Sequence, residues 1–163
     1  MATVRIPIDL RNPRMTTLAG NSFFTVFGFT NHDFGHWEFV KDVDGKIYGV
    51  VSIPPNVSGT PNAKCIIVLA ANAITGVWRN IVNYKTVAPN ETVQLTYTAG
   101  ASQDITVPGT AYLTKEITHT LSTGTFTGRN LIFIEIFHEG AHVNDTLAVN
   151  GFVVDAFLEI DVV

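Results

Sequence analysis

Residues 138–142 read His138-Glu139-Gly140-Ala141-His142, which spells the H-E-x-x-H string of zinc metalloproteases. The string does chemistry only on a helix, where histidines four apart share one face, both reach one Zn²⁺, and the glutamate acts as base on the bound water. Its neighbours deny that helix. Leu131-Ile132-Phe133-Ile134-Glu135-Ile136-Phe137 ahead are β-formers, a glycine sits inside the motif, and Asn144-Asp145 follows at once. No zinc hydrolase is expected; a solvated loop carrying two histidines is.

Asn31-His32-Asp33-Phe34-Gly35-His36 gathers two histidines and an aspartate that could ligate a metal through loop geometry, but no fixed scaffold of ligands is indicated and loop polarity explains the cluster. Asp42-Val43-Asp44-Gly45 resembles the start of a calcium loop, yet the position needing a bidentate glutamate falls on Ile53, so a tight turn is the better account. A Gly-x-Ser-x-Gly elbow is missing, and Cys65 lies in an apolar run where a thiol pKa would rise. No enzyme, cofactor or metal is therefore expected. Among Trp37, Trp78, Tyr48, Tyr84, Tyr97 and Tyr112, an aromatic face beside Asn and Asp could stack pyranose rings. Trp78 is assigned to the core, leaving Trp37 and Tyr48 as the candidate ligand-facing aromatics.

The elements that must position these residues follow from composition and periodicity. The chain has 163 residues, of which 46% are hydrophobic and only 15% charged, with Thr, Val, Ile, Phe and Asn throughout; this suits strands and turns in one domain with a real core. Ten Lys and Arg against fourteen Asp and Glu give a net charge of −4 and no basic run for phosphates, so nucleic acid is not an expected partner. No run of about 18 apolar residues occurs, so no membrane span is expected. The N-terminal MATVRIPIDLRNPR has no stretch of signal-peptide character, which implies synthesis in the cytosol.

Residues 1–20 alternate at Val4, Ile6, Ile8 and Leu10 but include Pro7 and Pro13, which predicts an extended arm or edge strand. Strands are expected at 22–29, 36–40, 46–53, 64–71, 76–87, 91–98, 112–121, 131–137 and 152–163. Residues 31–35 and 54–62 read as loops, and Asp44-Gly45 reads as the turn of a hairpin. In 76–87, Val77, Arg79, Ile81, Asn83 and Lys85 share one face, with Trp78, Asn80, Val82 and Tyr84 opposite. About nine or ten short strands without a repeat period predict an all-β fold. The expected form is an antiparallel two-sheet β-sandwich, a jelly roll, over 21–163 with an extended N-terminal arm.

Two stretches resemble a known group. Ala71-Asn72-Ala73-Ile74-Thr75-Gly76-Val77-Trp78-Arg79-Asn80-Ile81-Val82-Asn83-Tyr84 and the ending HEGAHVNDTLAVNGFVVDAFLEIDV are similar to segments of small β-sandwich proteins of tailed bacteriophages and prophages, thought to be virion structural proteins. Where that ending usually reads Arg-Asp-Gly, this chain has His138-Glu139-Gly140. The resemblance thus implies a strand-end turn closed by Gly140, with Asp145 accepting hydrogen bonds from loop amides. It further implies a non-enzymatic capsid decoration (cement) protein on the virion surface, with the major capsid protein as partner and a homo-trimer as the favoured assembly. A positive mean hydropathy agrees with assembly. The shell-contacting arm would use Arg5, Ile6, Ile8, Leu10, Arg11 and Arg14, pairing strands and matching arginines to carboxylates. The alternative is a carbohydrate- or receptor-binding β-sandwich module of a phage tail or fibre, using Trp37 and Tyr48.

Overall fold

In a computed structural model the described residues are 2–11, 22–29, 32–92, 96–121 and 126–163, and among them there are strands and turns but no helix. The strands are β1 (Ala2–Pro7), β2 (Asp9–Arg11), β3 (Ser22–Phe29), β4 (His32–Phe39), β5 (Asp44–Ser52), β6 (Ala63–Ala71), β7 (Val77–Val87), β8 (Gln103–Thr106), β9 (Lys115–Leu121), β10 (Leu131–Glu139) and β11 (Gly151–Val162). One sheet runs β3-β4-β11-β6-β9, with β1 also paired to β11; the other runs β2-β5-β10-β7-β8.

Four pairings are nested one inside the next: β4 with β11, β5 with β10, β6 with β9 and β7 with β8, all antiparallel. That is one long hairpin rolled over itself, and its two halves face each other as the sheets of a jelly roll. Alternation supplies the glue, because one face of every strand must leave water. Ile47 of β5, Ile132, Ile134 and Ile136 of β10, Trp78 and Val82 of β7, and Ile67, Leu158 and Ile160 of the other sheet meet in the interior. Each fully buried side chain of this size contributes roughly 1.5–3 kcal/mol relative to leaving it exposed. Trp78, Asn80, Val82 and Tyr84 are buried, as the two-face reading of β7 expects.

Several local expectations are overturned by this topology. Asp44-Gly45 is not a hairpin turn: β4 and β5 belong to opposite sheets, Gly45 lies in β5 opposite His138, and the bend is made at Asp42, whose φ is 59°. Residues 32–35 belong to β4 and not to a turn, since pairing with β3 claims them. No strand forms over 91–92 and 96–98; Thr98 makes only an isolated bridge to Tyr84, and 93–95 lie outside the described residues. Conversely, β8 is a strand that composition did not announce.

The N-terminal segment joins both sheets. From Ala2↔Val162 to Pro7↔Phe157, β1 lies along β11; the chain then crosses, and β2 pairs with β5 from Asp9↔Val50 to Arg11↔Tyr48. At the crossing Ile8 is 4% exposed and its N–H donates to the Ala156 carbonyl at 2.9 Å. Position 49 is glycine for this reason: a Cβ there would stand 2.4 Å from Ile8 Cγ2. Residues 2–11 are therefore edge strands anchored by a core residue, not an arm extended from the domain, while 12–20 lie outside the described residues.

Candidate functional site

The outward face of the five-stranded sheet is built from alternate residues of three adjacent strands. Lys46, Tyr48 and Val50 come from β5, Phe133, Glu135 and Phe137 from β10, and Ile81, Asn83 and Lys85 from β7. Register sets them in rows: Val50-Phe133-Lys85, Tyr48-Glu135-Asn83 and Lys46-Phe137-Ile81. The opposite faces of these strands carry core residues, so alternation alone turns these side chains outward.

Glu135 is at the centre and is only 5% exposed. A buried carboxylate must be paired and hydrogen-bonded to be tolerated. Here Asn83 Nδ2 donates to Oε1 at 2.8 Å and Lys46 Nζ to Oε2 at 3.2 Å, and the Tyr48 phenol stands beside the carboxylate. Lys46 also stands 4.9 Å over the Phe137 ring, which combines the ion pair with a cation–π contact. The Tyr97 ring centroid lies 6.4 Å from that of Tyr48. Burial, reinforced by the Glu135 charge, pushes the Tyr48 phenol up to about 12, and the same two causes raise Tyr97.

Beside this cluster is an open cleft of about 540 Å³, lined by Val50, Phe133 and Leu131 on the sheet side and by Ile6, Pro7 and Asp9 from the β1–β2 crossing. The Phe133 ring is half-buried and Leu131 is 38% exposed. A ring-shaped ligand here would find an apolar floor, with Asp9 and the Tyr48-Glu135-Asn83 row at its margins. An apolar lining with a few placed polar groups, at this volume, is how small-molecule sites are generally made.

The residues singled out from sequence fall in different places. Tyr48 is on this face, but Trp37 is not: it is 6% exposed, points into the core from β4, and is corrected from ligand-facing to structural. Of the proposed arm, Ile6 lines the cleft, Ile8 is core, Leu10 packs against the core, and Arg5 is held by Glu116 at 2.8 Å and Glu159 at 3.0 Å within the chain. Arg11 contributes backbone pairing to Tyr48, and Arg14 lies outside the described residues. Sequence reasoning counted Tyr97 among six aromatics without retaining it as a candidate, and it passed over Phe133, Glu135 and Phe137. A signal existed, since Glu135 is the one charge within the apolar run 131–137.

The H-E-x-x-H string lies at the end of β10 and in the turn after it. His138 is 1% exposed, so the expected loop of two solvated histidines is corrected for this residue, whose ring lies tilted 4.7 Å from that of Trp78 and bonds Asp145 through Nε2 at 2.9 Å. Asp145 also accepts the Arg79 amide at 2.8 Å and the Leu147 amide at 3.3 Å, which is the capping role expected of it. Gly140 is required by close approach, because a Cβ would meet the Val43 carbonyl at 2.4 Å. Strand alternation sends His138 inward and Glu139 outward, where it pairs with Arg79 at 2.9 Å. Among the described residues no three His, Cys, Asp or Glu side chains gather around one point. Cys65 is fully buried, which pushes its thiol up to about 12 and away from nucleophilic use.

No protein-family model matches the chain, and no curated protein does. Among solved structures, a native family 35 carbohydrate binding module from Clostridium thermocellum is 15% identical, with 100% of each chain covered and a TM-score of 0.49. The K1 cleaved adhesin domain of Lys-gingipain from Porphyromonas gingivalis is 14% identical, covering 100% of this chain and 99% of that one, at a TM-score of 0.48. CsCBM6-3 from Clostridium stercorarium, in complex with cellobiose, is 9% identical, covering 98% and 92%, at 0.40. Likenesses at these scores carry no argument about function, so any functional reading rests on the residues of the face itself.

Proposed function

We propose that this chain is a non-enzymatic carbohydrate-binding module whose site is the outward face of the five-stranded sheet and the adjoining cleft. The observation that carries the reading is the central row: a carboxylate nine-tenths covered on an outer sheet face, held by Lys46 and Asn83 beside Tyr48 and flanked by the half-buried rings of Phe133 and Phe137. Sugars present apolar ring faces and a rim of hydroxyls, and a platform of aromatic rings with fixed acceptors and donors matches both. Glycan-array binding by the purified chain, lost on Phe133→Ala with the circular dichroism unchanged, is the expected result. A folded protein silent across a broad array would remove the reading.

A second reading, the virion decoration protein, draws on the phage resemblance and on one structural observation. Among the described residues β1 pairs only with β11, which leaves its outer edge available for strand addition by a neighbouring shell protein. Co-sedimentation with undecorated shells at a fixed ratio per capsomer would support it. Because Ile8 is a core residue, deleting residues 1–14 is not a clean test; proline at Val4, within the paired strand β1, is the milder probe.

A further inference from the structure

We infer that the site takes the end of a saccharide chain and not its interior; this rests on the carbohydrate reading above. The argument starts from an anomaly of burial. Glu135 points away from the core, yet it is hidden from water. What covers it is a pair of rings that meet from opposite sides of the sheet. Tyr48 rises from β5, while Tyr97 comes from the segment fastened along the far edge of β7, through Thr98 N–H to the Tyr84 carbonyl at 2.7 Å and Gly100 N–H to Asn83 Oδ1 at 3.1 Å. With β10 lying between β5 and β7, Tyr97 reaches Tyr48 only by passing over β10, where Glu135 lies.

The two tyrosines therefore make an aromatic bridge across the strands at the middle of the face. Phe133 and Glu135 are two residues apart on β10, roughly 7 Å, so the bridge stands one pleat repeat from the cleft floor. A sugar ring stacked on Phe133 is stopped by this bridge in the strand direction. On the adjoining side it meets Ile6, Pro7 and Asp9, where the chain crosses from β1 to β2. Closed on two neighbouring sides, the cleft is a corner. A polysaccharide interior needs a trough that continues past the bound ring in both directions, whereas a terminal residue needs only one exit.

The experiment is calorimetric titration of the whole chain with 1,4-linked gluco-, xylo- and galacto-oligosaccharides of one to six residues. In whichever series binds, the expected affinity levels off by the disaccharide and stays within about twofold up to the hexasaccharide. A steady rise of about tenfold or more from dimer to hexamer would overturn the chain-end inference while leaving the carbohydrate reading intact. Absence of binding in every series and across the glycan array would overturn both. In Tyr97→Ala the bridge is removed from a loop position without disturbing a strand, and the hexasaccharide is expected to gain at least about threefold over the disaccharide. An unchanged length profile in that variant would show that the bridge is not the stop.

Discussion

The two outer faces of this sandwich both carry surface ion pairs, Arg79 with Glu139 among them on the five-stranded sheet, but they differ at one buried carboxylate. Over β1, β11, β6 and β9, Arg5 bridges Glu116 and Glu159, Lys64 also reaches Glu159 at 3.2 Å, and Asp161 accepts from Asn62 at 2.7 Å and Thr3 at 2.9 Å. Those groups stay wet, and such pairs contribute little to stability. On the five-stranded face one carboxylate is withdrawn beneath two tyrosines. Burying a charge costs more than a surface pair returns, and apolar residues in place of a whole buried pair are often at least as stable. The difference teaches that stability does not explain Glu135; holding Lys46 and Asn83 in fixed positions beside Tyr48 does.

The largest effect that would sharpen the contrast is on binding. Phe133→Ala should weaken saccharide affinity by roughly 30-fold, the loss of about 2 kcal/mol seen when a central aromatic contact is truncated. Thr120→Ala, on the exposed outer face of β9 in the other sheet, should leave it unchanged. Equal losses in the two variants would erase the distinction between the faces. Next comes Glu135→Ala, which leaves Asn83 and Lys46 without their shared acceptor and should lower unfolding free energy by about 1–3 kcal/mol in urea titrations. Glu135→Gln keeps an acceptor for Asn83 and should lose less. If the alanine variant proves as stable as the parent, the network is not what orders the face.

How much of this was legible beforehand depended on whether a signal was local. Alternation in β7 and β11 marked strands and their faces, β-rich or apolar runs marked β5, β6 and β10, and Trp78 and Cys65 were placed in the core correctly, the first by its face and the second by its apolar run. The partner of each strand was not legible: Asp44-Gly45 has the chemistry of a hairpin turn, but the nested long-range ladders took β4 and β5 into different sheets. Trp37 and Tyr48 looked alike in sequence, and only the sheet that each strand joined decided which ring was covered. The aromatic bridge was invisible for the same reason, since Tyr97, expected on a strand over 91–98, reaches Tyr48 from beside an isolated bridge at Thr98.

Opposite pH limits should separate Glu159 and Asp161 from Tyr48 with a smaller effect. Arg5 and then Lys64 hold the Glu159 carboxyl below the usual carboxylate range, and Asn62 and Thr3 do the same for Asp161. A depressed carboxylate contributes above its unfolded pKa of about 4 and loses that contribution as pH falls through the folded value. In the interior, burial lowers His119 to about 4, so the unfolded chain takes up the proton first and stability should decline from about pH 6.5 toward 4. Tyr48 works at the other end. Its neutral phenol stabilises the fold below about pH 10, and that contribution is lost as pH rises from about 10 toward about 12. Melting temperature against pH, with tyrosinate absorbance followed at the alkaline end, should show the bridge loosening there. A His119→Gln variant with an unaltered slope between pH 6.5 and 4 would refute the assignment of the early acid limb to the core.

The smallest expected effect belongs to Arg5→Ala. Its guanidinium joins two carboxylates, but the side chain is 47% exposed and Glu116 is 50% exposed, so solvent already screens the attraction. The melting temperature should move by only a degree or two, and high salt should reduce the difference further, because exposed pairs are screened over a Debye length of about 3 Å at 1 M. Saccharide affinity should be unaffected, since Arg5 lies on β1 and pairs across the six-stranded sheet. If Arg5→Ala instead weakened saccharide binding as strongly as Phe133→Ala, the cleft at Ile6 and Pro7 would have to be governed by the whole of β1. The corner would then owe its shape to the seating of that strand on β11 more than to the tyrosines above Glu135.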